Sequence, residues 1–168
     1  MFLIVITVLA TLVAARPQCE TIEGGYRGIK PLLTDKGSVE KVLGKPKIDD
    51  NGYHMYETPD AYIQVNYTTS PCEKDQYKRG EFRVPKDTVL GYRYMPKDNP
   101  LLSVLKVDVA RYRKDTSGDV INFAVYRNTK DGIAIDVHVN VDKSESVEQI
   151  RYSPSEENST KFACLSGQ

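Results

Sequence analysis

The feature that most narrows what this chain can fold into is a series of short strand-like runs cut by turn signals. Residues 53–58 and 61–68 are joined by Pro59 and Asp60, and in the second run Ile63, Val65 and Tyr67 alternate with Tyr62, Gln64 and Asn66. Side chains on a strand point to opposite faces in turn, so this spacing predicts a hairpin whose second strand buries Ile63, Val65 and Tyr67. A further strand is predicted over 87–94, ended by Met95 and Pro96. Residues 121–126, 133–141 and 147–152 read as a three-stranded meander, with Asp131-Gly132 as a tight turn between the first two. Asp49-Asp50-Asn51-Gly52 reads as a turn, and 114–119 as a loop. The chain has eleven Tyr, four Phe and no Trp, an aromatic content suited to strands.

One segment follows a different period. Val39, Val42 and Leu43 fall at i, i+3 and i+4, one face of a helix. Thr34 is placed as its N-cap, Asp35 in its first turn, Gly44 just past its end and Pro46 as its stop. A short apolar stretch over 101–105 predicts one or two helical turns, and the tail beyond Pro154 is polar until Phe162.

The two halves of the sequence run in parallel. Pro31-Leu32-Leu33 matches Pro100-Leu101-Leu102, and 61–65 matches 133–137. Val89, Arg93, Tyr94 and Pro96 match Val147, Arg151, Tyr152 and Pro154. This predicts repeat halves at 28–97 and 98–155, each a short helix, a hairpin and a third strand. The expected fold is α+β: an antiparallel sheet built from two similar helix-plus-three-strand units, with short helices on one face.

A length of 168 residues suits one domain. Lys plus Arg and Asp plus Glu both number 23, so the net charge is zero, which argues against nucleic acid as a partner. Residues 1–15 are uncharged and almost wholly apolar, ending at Ala14 and Ala15. As a helix they would span roughly 22 Å, short of the ~30 Å hydrocarbon core. They read as a secretory signal peptide, leaving one domain over 16–168, no membrane span after cleavage, and a periplasmic or extracellular location.

Export bears on the cysteines, since oxidising compartments favour disulfides. Cys19, Cys72 and Cys164 are odd in number, so at most one pair forms within the chain. Cys72 with Cys164 would pin the C-terminal tail; Cys19 with Cys164 would tie the two termini. With no two cysteines close in sequence and only His54 and His138 as histidines, no metal site is predicted.

The motifs of common chemistries are missing. There is no Gly-x-Ser-x-Gly, no Gly-x-Gly-x-x-Gly and no phosphate loop. His54 and His138 lie inside strand-like runs, and nothing pairs Asp35, Glu40, Glu57 or Asp60 as acid and base. No catalytic residue and no cofactor is predicted. Aromatic and cationic groups do interleave, at Tyr92, Arg93 and Tyr94, at Tyr112 and Arg113, and at Arg151 and Tyr152. Tyr and Arg are the residues favoured at binding hot spots. The candidate binding set is therefore Tyr92, Arg93, Tyr94, Arg151 and Tyr152, with Arg93 and Arg151 at matching repeat positions. The expected function is non-catalytic: binding of a protein or a cell-envelope component through the sheet face. The alternative is a secreted hydrolase using carboxylates and tyrosines, which would require a cavity that joins those carboxylates.

Several segments together carry a resemblance: Gly28-Ile29-Lys30-Pro31-Leu32 through Val39-Glu40-Lys41-Val42-Leu43-Gly44-Lys45-Pro46, Val65-Asn66-Tyr67, Ser70-Pro71-Cys72, Val84-Pro85-Lys86-Asp87-Thr88-Val89 and the late Cys164. Over most of the mature chain they resemble a family of exported proteins from acidobacterial-type soil bacteria with no established activity. The resemblance implies export, and it implies Cys72 and Cys164 as disulfide partners. At the level of fold alone, the helix ending in Val42-Leu43-Gly44 resembles that of BamE-type outer-membrane assembly lipoproteins. Tandem helix-plus-sheet units are similar to those of β-lactamase-inhibitor-protein-like domains.

Overall fold

The Pro59-Asp60 turn joins two strands as the alternation requires. β2 (Tyr53–Glu57) and β3 (Ala61–Tyr67) pair antiparallel with Tyr56 opposite Ile63, and Thr58 Oγ1 donates to the Asp60 carboxylate at 2.9 Å to fix the turn. In this computed structural model, which describes residues 22–69, 72, 82–116 and 122–164, that hairpin is part of an eight-stranded antiparallel sheet. The other strands are β1 (Ile48–Asp50), β4 (Val89–Pro96), β5 (Arg113–Thr116), β6 (Phe123–Asn128), β7 (Ile133–Val139) and β8 (Glu145–Tyr152). Their order across the sheet is β1-β2-β3-β4-β8-β7-β6-β5, so each half of the chain forms a meander and the two meanders meet at β4 and β8.

The edge strands differ from expectation. β1 covers part of the predicted Asp49–Gly52 turn, and β5 part of the predicted 114–119 loop. Both are short, and both are dominated by charged residues, which is how an outer strand avoids offering a bare ladder to another chain. Alternation of apolar residues cannot reveal such strands. At the seam, Tyr92 lies opposite Tyr152, Arg93 opposite Arg151 and Tyr94 opposite Ile150. Each of the two seam strands, β4 and β8, also carries an irregularity. The β3–β4 register skips Leu90, with Gly91 opposite Asn66 and Val89 opposite Tyr67. The β7–β8 register skips Glu148, with Gln149 opposite Asp136 and Val147 opposite Val137. An unpaired residue of this kind bends its strand and increases the local twist.

One face of the sheet is buried. Ile63, Val65 and Tyr67 point into it as predicted, together with Val89, Tyr92, Ile135, Val137, Val147, Ile150 and Tyr152. Against this face lies α1 (Lys36–Leu43), which contributes Val39 and Leu43 to the core. Val42, predicted on the same helix face, is 41% exposed instead. Asp35 is the N-cap rather than Thr34. Its carboxylate accepts the Ser38 N–H at 2.8 Å, while Thr34 Oγ1 accepts the Lys30 N–H at 2.9 Å. Gly44, at φ 81°, closes the helix in the left-handed region that glycine favours. The 3-10 turns at Ile22–Gly24, Tyr26–Gly28 and Leu102–Val104, with Ile29 and Tyr112, add to the cover. The fold is α+β, with antiparallel pairing throughout.

A second helix, α2 (Glu156–Phe162), follows β8. It is capped by Ser155 Oγ, which accepts the Asn158 N–H at 3.2 Å, and it buries no residue, so it leaves no apolar periodicity to read. Beyond it Cys164 is at disulfide distance from Cys72, Cα to Cα 6.2 Å. This settles the open pairing in favour of Cys72 with Cys164. Cys19 and the predicted signal peptide over 1–15 lie outside the described residues. Among the described residues no helix is long and apolar enough to cross a membrane.

Candidate functional site

Burying one side chain in two turns its neighbours to the other face of the sheet, which the helices leave open. This face carries Tyr62 and Gln64 from β3, Arg93 from β4, Gln149 and Arg151 from β8, Asp136 and His138 from β7, Arg127 from β6, and Arg113 and Asp115 from β5. The registers align several of them in one transverse row. Gln64 stands opposite Arg93, Arg93 opposite Arg151, Arg151 opposite Ala134, Ala134 opposite Arg127, and Arg127 opposite Arg113.

The predicted binding set divides between the two faces. Tyr92 and Tyr152 are 2% and 7% exposed, and their rings stack in the core at 4.4 Å between centroids. They are therefore corrected from contact residues to core residues. The buried Tyr92 hydroxyl donates to the Ile29 carbonyl at 3.0 Å and accepts the Tyr26 N–H at 2.8 Å. Burial pushes both phenols above their ordinary range. Tyr94 shares their face, half-buried against Tyr26 with ring centroids 4.7 Å apart, and its hydroxyl reaches the Asp60 carboxylate at 3.4 Å. Of the predicted set, only Arg93 and Arg151 reach the open face. Period two already forbids neighbours in one strand from sharing a face.

Sequence reasoning missed the group that organises these arginines. Asp136 is 3% exposed although it lies on the open face. Arg151 Nη2 donates to its Oδ1 at 2.7 Å and Gln149 Nε2 to its Oδ2 at 2.5 Å. The signal is non-local, since it depends on which residues β7 and β8 set side by side. Asp115 repeats the arrangement at the edge, pairing with Arg113 and with Arg127, each at 3.0 Å. Hydrogen bonding from Arg113, and then from Arg127, holds the Asp115 carboxyl below the usual carboxylate range.

The histidines have different surroundings. His138 is half-exposed, 4.0 Å from Glu148. His54 is buried against the Tyr67 ring at 4.8 Å, with Nε2 3.2 Å from Asp49 Oδ1 and Nδ1 lacking a partner. Burial is the main cause that lowers its pKa, with the Lys36 charge second. A histidine whose folded pKa lies below its unfolded value of about 6.5 takes up a proton more readily unfolded. Its contribution is thus present above that pH and is lost as pH falls through it. Thermal melts are expected to give a lower midpoint at pH 5.5 than at pH 7.5, and His54→Phe is expected to shrink the difference. An unchanged difference in that variant refutes the assignment.

The carboxylates weighed for hydrolysis are dispersed and occupied. Asp35 caps α1, Glu57 pairs with Lys97 at 2.8 Å, Glu40 lies 3.9 Å from Lys36, and Asp60 accepts from Thr58 and Tyr26. A cavity of about 420 Å³ opens where β6, β7 and β8 meet the start of α2, lined in part by Arg127, Ser153, Glu156 and Ser159. Among the described residues Glu156 is the one carboxylate that lines it, so these residues join no pair of carboxylates there.

No family model matches the chain, and no curated protein matches it. Among solved structures it is similar to a DUF4309 family protein, YjgB, from Bacillus subtilis. The identity is 13% and the TM-score 0.41, over 76% of this chain and 84% of that one. Likeness of that degree says nothing about what the chain does.

Proposed function

We propose that this is an exported, non-catalytic domain that binds a protein or cell-envelope component through the open face of its sheet. The observation that carries the proposal is the division of charge between the faces. The chain is neutral overall, yet four arginines and two aspartates cluster on one uncovered surface. A domain that only needed to fold would gain nothing from opposing two arginines across a ladder, because like charges directly opposite are destabilising. The apolar leader and the Cys72–Cys164 pair support the exported location. The resemblance to exported soil-bacterial proteins is consistent with it.

The same reading takes the sheet as two similar units. The strand order is palindromic about the β4–β8 seam, and the skipped residues Leu90 and Glu148 each stand three residues before the seam arginines Arg93 and Arg151. By ladder position Ile63, opposite Tyr94, corresponds to Ile133, opposite Tyr152. The sequence match of 61–65 with 133–137 therefore slides by two residues, which preserves the face of every side chain.

The test places a photoreactive phenylalanine derivative at Gln64 on the open face, or at the exposed Val42 of α1, in the organism that makes the protein. A higher-mass adduct from Gln64 in the exported fraction, and none from Val42, is the expected result. Failure of Gln64 to give an adduct, or retention of the whole unprocessed chain in the cytosol, overturns the proposal.

A further inference from the structure

We infer that Arg93 and Arg151 together form a receptor for one carboxylate, the side chain of an Asp or Glu in an acidic segment of a protein partner. The inference rests on the reading of the open face as the binding surface and goes further by naming what the seam recognises.

The two guanidinium groups project from directly opposed positions of β4 and β8, at the middle of the sheet. Neighbouring strands lie about 4.8 Å apart, close enough for one planar anion to meet both. Their hydrogen-bonding capacity is largely unused. The Arg93 side chain is exposed and makes no hydrogen bond or ion pair with the described residues. Arg151 uses Nη2 on Asp136, and its Nε is buried without an acceptor, so the donors it can offer a ligand are the remaining N–H groups of its guanidinium end. An arginine carries five donors in a fixed fork, so most of the donors at the seam remain available.

The site is also prearranged. The Asp136 carboxylate, itself held by Gln149, fixes the Arg151 guanidinium before any ligand arrives. Holding a side chain in place beforehand lowers the entropy lost on binding. Asp136 has both oxygens engaged and neutralises one of the two cations. A single positive charge is left, which matches a carboxylate better than a doubly charged phosphate. The Arg113, Arg127 and Asp115 cluster has the same two-to-one ratio. Its Arg127 lies two strands from Arg151, or about 10 Å by strand spacing. An acidic segment crossing the strands can therefore meet a second cationic group after the first, which favours a peptide over an isolated small anion.

The probe is an acetylated hexaglutamate peptide, titrated into the oxidised protein while the arginine Nε–H resonances are followed by NMR. Hexaglutamine and inorganic phosphate serve as comparison ligands. Hexaglutamate is expected to shift the Arg93 and Arg151 signals and hexaglutamine is not. Arg93→Gln is expected to weaken hexaglutamate binding at least fivefold while the melting temperature stays the same or rises, since a like-charge pair is removed. Equal effects of the two peptides, tighter binding of phosphate, or unchanged affinity in Arg93→Gln overturns the receptor. So does a lowered melting temperature in that variant, which would make Arg93 a structural residue. The crosslinking experiment separates this proposal from the one beneath it. An adduct from Gln64 that forms equally in Arg93→Gln overturns the receptor and leaves the open-face reading standing. No adduct from Gln64 in the otherwise native chain overturns the open-face reading, while the titration still decides the receptor.

Discussion

Tyr92→Ala is expected to destabilise the fold by about 4 kcal/mol, the loss typical of removing a buried aromatic side chain. Its ring stacks on Tyr152 at the seam between the two meanders, so the cavity would open where the halves meet. Tyr92→Phe separates packing from hydrogen bonding. It keeps the stack and leaves the Ile29 carbonyl and the Tyr26 N–H without their partner, at an expected loss of about 1.5 kcal/mol. Chemical denaturation of the three proteins measures both values. If Tyr92→Ala cost no more than Tyr92→Phe, the seam would not depend on this ring.

The second large effect concerns the Cys72–Cys164 pair, whose partners are 92 residues apart in sequence. Closing a loop of that size restricts the unfolded chain, and its removal is expected to cost about 4 kcal/mol in the loop-entropy account. The double replacement Cys72→Ala with Cys164→Ala should therefore melt about 10 °C lower than the oxidised protein. The reduced native protein should resemble the double variant. Coincident melting of the oxidised protein and the variant would show that the C-terminal segment is held by other contacts. Those contacts include the 2.6 Å hydrogen bond from the Arg83 N–H to the Phe162 carbonyl.

Much of the fold could be read from the sequence, because the strands that build the core are the ones whose apolar residues alternate. β2, β3, β4, β6, β7 and β8 all begin and end within two residues of the predicted runs. The elements that escaped detection have no buried face to betray them. β1 and β5 are edge strands, and α2 buries nothing. The candidate site was legible by residue type but not by placement. Arg93 and Arg151 were singled out as equivalent positions, yet their two tyrosine neighbours, Tyr92 and Tyr152, belong to the core. Strict alternation would have excluded those tyrosines. Nothing local could have named Asp136, because its partnership with Arg151 arises only from the register of β7 on β8.

The seam itself has a mechanical consequence. β4 and β8 meet along three paired positions, against seven on each flanking ladder, β3–β4 and β7–β8. Under tension or twist the molecule should yield there first, parting like two boards joined by a short row of dowels. An anion clasped by one guanidinium from each board would act as a further dowel, so occupancy would show up as resistance to pulling the halves apart.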